Sequence, residues 1–148
     1  MLKQPQLNSN FLVDIGTGDP HHPDAGFCEV VFPTFRADST AQLSAWQSAP
    51  QLPGNQEVEA KHLILRRGVT ASLDLYAWWD LARRGHAPKQ RNVKVQLLAA
   101  DHSSVVLTWL FRHVRPVGLS YSVLNAMQNA VQVESIELDF DGVEITCG

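Results

Sequence analysis

The sequence has few of the features that mark secreted, membrane-spanning or metal-dependent proteins. Its only two cysteines, Cys28 and Cys147, lie at a spacing that matches no metal-binding or redox motif. No apolar run reaches the ~18–20 residues that cross a bilayer as a helix, and residues 1–10 lack the apolar core of a signal peptide. We therefore expect two free thiols, with a single disulfide as the alternative, and no direct membrane anchor.

Basic residues are absent after Arg115, although the formal net charge of the whole chain is only -3. Residues 1–60 hold 2 basic and 7 acidic residues, residues 61–115 hold 10 and 3, and residues 116–148 hold 0 and 5. This segregation disfavours both a uniformly basic nucleic-acid binder and a uniformly acidic tail. It favours pairing of the basic middle with the acidic flanks, either within one subunit or between neighbouring copies.

Motifs that carry chemistry are also lacking. No G-x-S-x-G nucleophile motif is present, and residues 16–18 (Gly-Thr-Gly) lack the further glycine and the lysine of phosphate-binding loops. His21, His22 and Asp24 could bind a metal, but no further ligand follows at a recognisable spacing. We therefore predict no enzyme activity, no catalytic residue, no cofactor and no metal site.

The patterns that are present belong mainly to short strands. Apolar residues alternate in several segments, which predicts strands at residues 10–16, 26–35, 56–67, 92–100, 105–114 and 131–140, with residues 143–146 ending the chain. Pro116 is expected to end the strand before it. A change of phase between Val133 and Ile136 predicts a β-bulge near residues 134–135, after a polar link at residues 125–129.

One helix is predicted at residues 71–84, where Leu75, Trp78, Trp79 and Ala82 fall on one stripe. Packing of both tryptophans on a sheet is the preferred interpretation, and a ligand pocket lined by them is the alternative.

These elements predict a mainly β fold in a single domain covering residues 1–148. It is either a small β-barrel or two packed antiparallel sheets with one flanking α-helix, and it carries a long loop at about residues 36–56. Several strand edges are apolar and lack lysine or proline, which is tolerable when another subunit covers them.

An ordered set of segments carries a family resemblance. The segments are residues 63–70 (LILRRGVT), 73–79, 91–98 (RNVKVQLL), 109–111 before Pro116, 124–126 with Asn129, and 133–138 with Gly142. In this order they resemble the phage tail tube protein family of contractile-tailed phages, which also supplies the inner tubes of phage-like contractile injection systems. The resemblance implies a tail-tube-like fold, six copies closing into a ring, and rings stacking head to tail into a hollow tube inside a contractile sheath.

The partners implied by the resemblance are other copies of the chain, a sheath protein, and baseplate or tube-initiator proteins, with cargo or DNA in the lumen as an option. It also implies assembly in the bacterial cytoplasm as part of a virion tail or injection particle. A tube-initiating paralogue at the baseplate is the alternative. Two further alternatives are a nucleic-acid- or phosphate-binding β-barrel module that uses the basic middle, and a small-molecule-binding barrel.

The long loop and the charged residues supply the candidate contacts between subunits. The candidates are Trp46, Arg66, Arg67, Arg112, Arg115, Glu134 and Glu137. Reversing Arg66 and Arg67 to glutamate is expected to weaken assembly while leaving the subunit folded.

Overall fold

The computed structural model describes residues 10–16, 26–36, 62–86 and 91–148. Almost all of the long loop predicted at residues 36–56, including Trp46, lies outside these ranges, as do His21, His22 and Asp24. The described elements in chain order are β1 (Phe11–Asp14), β2 (Glu29–Val31), β3 (Leu63–Gly68), α1 (Asp74–Arg83), β4 (Arg91–Leu98), β5 (Val105–Tyr121), β6 (Val133–Asp139) and β7 (Gly142–Cys147).

The strands form two antiparallel ladders that share β5. One ladder has the order β1-β4-β5-β7, and the other has the order β2-β3-β6-β5. The first part of β5 pairs with β4 and β7, whereas its last part pairs with β6. The strands of the described residues do not close into a barrel. The predicted mainly β fold with one flanking helix is confirmed.

β5 does not end at Pro116, as the sequence predicted, but runs on to Tyr121. Proline has no backbone N–H to donate to a ladder and is tolerated in strands chiefly at edges and bulges. Here the pairing with β6 shifts from Pro116 opposite Leu138 to Gly118 opposite Glu137. This bulge accommodates the proline, and β5 therefore passes from one ladder into the other without a loop.

The bulge predicted near residues 134–135 is wrong, because β6 pairs with β3 without a register shift from Val133 to Leu138. Glu134 is buried on the same face as Ile136 and Leu138. A carboxylate at a core-facing position interrupted the apolar alternation without interrupting the strand.

A single hydrophobic core joins the two ladders and the helix. Phe111 is completely buried and packs edge-on against Phe140, with their ring centroids 4.9 Å apart. Burial of each such side chain stabilises the fold by about 1.5–3 kcal/mol. The other residues with an exposed fraction below 2% are Leu63, Leu65, Leu75, Trp78, Val93, Val95, Val114, Val13, Ile136 and Leu138.

Candidate functional site

Arg67 lies almost entirely inside the subunit, with an exposed fraction of 3%. Its position on β3 is directly opposite Glu134 on β6, and its Nε donates a hydrogen bond to Glu134 Oε1 at 2.6 Å. Its terminal nitrogens donate to the carboxylate of Asp74, the first residue of α1. One guanidinium therefore holds two strands and the start of the helix together.

The predicted role of Arg67 and Glu134 as contacts with a neighbouring copy stays a prediction, which their burial in this subunit disfavours. Glu134 is 4% exposed, and each charge is neutralised within its own subunit. Because a glutamate at position 67 would face the carboxylates of Glu134 and Asp74, we expect reversal of Arg67 to destabilise the folded subunit as well as to affect assembly. Arg67 follows Leu63 and Leu65 at a spacing of two, so this alternation was the available signal that it points inward.

Asp74 has an environment that favours its charged form. Burial by itself would raise the pKa of Asp74, but hydrogen bonds from Arg67 and Ser72, together with the Arg67 charge, lower it below its ordinary value. The Ser72 hydroxyl lies 2.9 Å from Asp74 Oδ1. The charged carboxylate therefore stabilises the folded subunit.

We expect the free energy of unfolding to depend on the ionisation of Asp74. Because the pKa is lower in the folded chain, the stabilisation is complete above about pH 3.9 and is lost as the pH falls through the folded value. An Asp74→Asn variant should be less stable than wild type at about pH 7, and the difference should shrink by about pH 3. Urea unfolding at a series of pH values measures this difference, and a constant difference across the range would contradict the assignment.

The remaining charged candidates lie nearer the surface and already have partners in the same subunit. Arg66 is 2.7 Å from Glu29 on β2, and its Nε donates to Ser135 Oγ at 3.2 Å. Glu137 lies 3.8 Å from the His62 imidazole. The outer face of this ladder therefore carries alternating charge, held mainly by side chains of its own strands.

Where β5 passes from the first ladder to the second, basic side chains again pair with acidic ones of the same subunit. Arg112 is 2.7 Å from Glu144 of β7, and Arg115 lies 2.9 Å from Asp139 and 3.0 Å from Asp141. Pairing of the basic middle with the acidic flanks is thus confirmed within one subunit. Such exposed pairs contribute only about 0–1 kcal/mol each. A further role of Arg66, Arg112, Arg115 and Glu137 between subunits stays a prediction.

The predicted packing of the helix on the sheet is confirmed for Trp78, which is 1% exposed and belongs to the core. The Arg91 guanidinium carbon lies 4.5 Å from the centroid of its ring. Trp79 is half-buried at the edge of the helix, and the Arg83 guanidinium carbon lies 5.1 Å from the centroid of its ring. Trp78 fills the space that a ligand beneath the helix would need.

Few features outside these clusters point to chemistry. Within the described ranges no three His, Cys, Asp or Glu residues lie close enough to hold a metal ion. In the same part of the chain, no helix has the length and apolarity to cross a membrane. Cys28 and Cys147 are both exposed free thiols.

The most exposed apolar surface of the described residues lies between β5 and β6 and was not predicted from the sequence. Residues 122–132, the apolar arm, include Val123, Leu124, Met127 and Val131 at 85%, 83%, 93% and 78% exposure. From the sequence, residues 125–129 were predicted only as a polar link. The available signal was that no charged residue occurs between Tyr121 and Glu134.

Comparisons with known proteins identify structures with a similar fold and a matching protein family. Among curated protein sequences none matches the chain significantly. A chain of the sheath-tube complex of PVC, an extracellular contractile injection system, in the extended state has 16% identity and a TM-score of 0.68 over 99% of this chain and 95% of that chain. A chain of the PVC sheath/tube terminator in the extended state has 18% identity and a TM-score of 0.73 over 99% and 100%.

A third similar structure is the sixfold-symmetrised baseplate of the anti-feeding prophage (AFP), one chain of which has 19% identity and a TM-score of 0.64 over 99% of this chain and 98% of that chain. At these identities the likeness shows a shared fold. The family model described as T4-like virus tail tube protein gp19 matches residues 7–144, almost the whole sequence. The chain therefore belongs to the T4-like virus tail tube protein family.

Proposed function

We propose that the chain is a structural subunit of the inner tube of a contractile phage tail or phage-like injection system. Six copies form a ring, and rings stack head to tail into a hollow tube. The observation that carries this proposal is the family match over residues 7–144. Similar chains from a sheath-tube complex and a sixfold-symmetrised baseplate support it. A heterologous contact whose rotation closes on itself makes a ring, and one that does not close makes a filament. A stack of rings therefore needs one contact within the ring and another between rings.

The partners follow from this role. The tube contacts a contractile sheath around it and baseplate or initiator proteins at its end, and the lumen holds cargo or DNA. The subunits assemble in the bacterial cytoplasm and become part of the virion tail or injection particle. Trp46, Arg66, Arg112, Arg115 and Glu137 remain the proposed charged and aromatic contacts between copies.

A specialised subunit at an end of the tube is the second candidate. The similarity to the PVC sheath/tube terminator, at a TM-score of 0.73, favours it, and the similar baseplate chain is consistent with a tube-initiating paralogue. Main tube subunits stack without limit, whereas an end subunit forms a ring that does not add further copies of itself.

Negative-stain electron microscopy of the purified protein tests both roles. We expect rings or tubes when the protein concentration is raised, and tubes whose length grows with concentration identify a main tube subunit. Single rings at every concentration identify an end subunit. Monomers alone, with and without a co-expressed sheath protein, would overturn the proposal, and analytical ultracentrifugation of the same samples provides the control for losses on the grid.

A further inference from the structure

The apolar arm presents most of its large apolar side chains to solvent within a segment of eleven residues. Its four large apolar residues are each at least 78% exposed. Contiguous exposed apolar surface of this kind marks an interaction site in soluble proteins. Tyr121, 52% exposed at the end of β5, extends the same surface toward the ladder.

The arm has a defined conformation in the isolated subunit. At its base, Ser122 N donates to Val133 O, and Val133 N donates to Ser122 Oγ, both at 2.9 Å. The Gln132 amide donates to Ser122 O at 2.7 Å. At its tip, Met127 N donates to Asn125 Oδ1 at 2.9 Å. An arm ordered by such bonds loses little further conformational entropy when a partner binds.

The chemistry of the arm selects the kind of partner. Residues 122–133 contain no Asp, Glu, Lys or Arg. Nucleic acid is bound through basic side chains, so the arm does not suit DNA in the lumen. For the same reason, the arm does not suit a protein partner that binds through complementary charge. Permanent contacts between identical subunits are the most apolar class of protein interface, and the arm fits that class.

The chain also exposes an apolar residue on β7, away from the arm. Ile145 on β7 is 49% exposed, and β7, which contains no lysine or proline, lies at the edge of the ladder formed by the described strands. β7 belongs to the first ladder, whereas the arm extends from the second. A head-to-tail contact between identical copies joins two different parts of the chain, and Ile145 on the β7 edge is an apolar position away from the arm.

We propose that the apolar arm docks on a second copy of this chain, as the main apolar contact between neighbouring subunits. This proposal rests on the proposed tube function. Each copy has one arm and covers the arm of the next, so that a closed ring leaves none exposed.

The test combines Leu124→Asp and Met127→Asp in one variant and compares it with a Leu124→Met and Met127→Leu control. Both side chains are more than 80% exposed, so both variants should unfold at the wild-type temperature in circular dichroism. We expect the charged variant to need about 100-fold more protein to assemble in analytical ultracentrifugation. The apolar control should assemble as wild type does.

Two outcomes separate this proposal from the tube function. If wild type and the charged variant assemble at the same concentration, the arm is not the contact and the tube function stands. If wild type stays monomeric at every concentration, the tube function is overturned together with this proposal.

Photo-crosslinking identifies what covers the arm. With p-benzoylphenylalanine in place of Met127, the assembled protein should give a product of twice the subunit mass whose cross-linked peptides come from two copies. Cross-links only within one chain, or only to a co-expressed sheath protein, would overturn the docking of a second copy.

Discussion

Replacing Arg67 with alanine should lower the free energy of unfolding by about 3–5 kcal/mol, the cost of breaking a buried ion pair by removing one partner. The change leaves Glu134, which is 4% exposed, without its cation inside the subunit. It also removes the hydrogen bonds to Asp74 that hold the start of α1. Urea unfolding followed by tryptophan fluorescence measures the loss, since Trp78 lies on the same helix.

The neighbouring arginine provides a matched control. Arg66 has an exposed side-chain fraction of 38% and pairs with Glu29 at the surface, so Arg66→Ala should cost no more than about 1 kcal/mol. Combining Arg67→Met with Glu134→Leu should destabilise less than Arg67→Met alone, because no carboxylate is then left unpaired on β6. Equal losses for Arg66→Ala and Arg67→Ala would show that Arg67 is not the buried centre of this cluster.

Replacing Trp78 with alanine should cost about 3–5 kcal/mol, as is typical of a large aromatic residue removed from a core. Trp78 is 1% exposed, and with Leu75 it forms the buried face of α1. The loss leaves a cavity between helix and sheet and removes the ring beneath the Arg91 guanidinium. The unfolding midpoint in urea is the measurement.

Two control variants test whether the loss at Trp78 comes from its packing in the core. Trp78 Nε1 makes no hydrogen bond with the described part of the chain, so Trp78→Phe sacrifices only volume and should cost less than half of the alanine value. Trp79→Ala should also cost less, because Trp79 is only half-buried. A loss at Trp79 as large as that at Trp78 would mean that the helix is anchored differently.

Regular alternation and helical periodicity made much of the fold predictable. Val93 and Val95 on β4 and Phe111 on β5 lie in segments whose apolar alternation predicted strands, and all three are buried. The stripe containing Leu75 and Trp78 correctly oriented the helix. In each case a residue's local pattern and its tertiary environment favoured the same structure.

Positions where tertiary structure overrides the local pattern were not predictable. Proline usually ends a strand, but here a shift in the pairing of β5 with β6 accommodates Pro116. From its residue type, Glu134 is expected at the surface. Its burial depends on Arg67, which is far away in sequence but lies opposite it in the sheet. The exposure of Met127 depends on a hairpin-like base formed by Ser122 and Val133. Each depends on a partner that no local window contains.

The sharing of β5 by both ladders also governs when a newly made chain can fold. Phe11 pairs with Leu97, and Leu63 pairs with Leu138, so strands must wait for partners synthesised much later. Such distant pairings make folding slow, on the order of milliseconds to seconds. Since β6 lies between β3 and β5, the second ladder cannot form until residues 133–139 have left the ribosome. An incomplete chain therefore lacks the second ladder, and we expect only finished subunits to be able to join the proposed assembly.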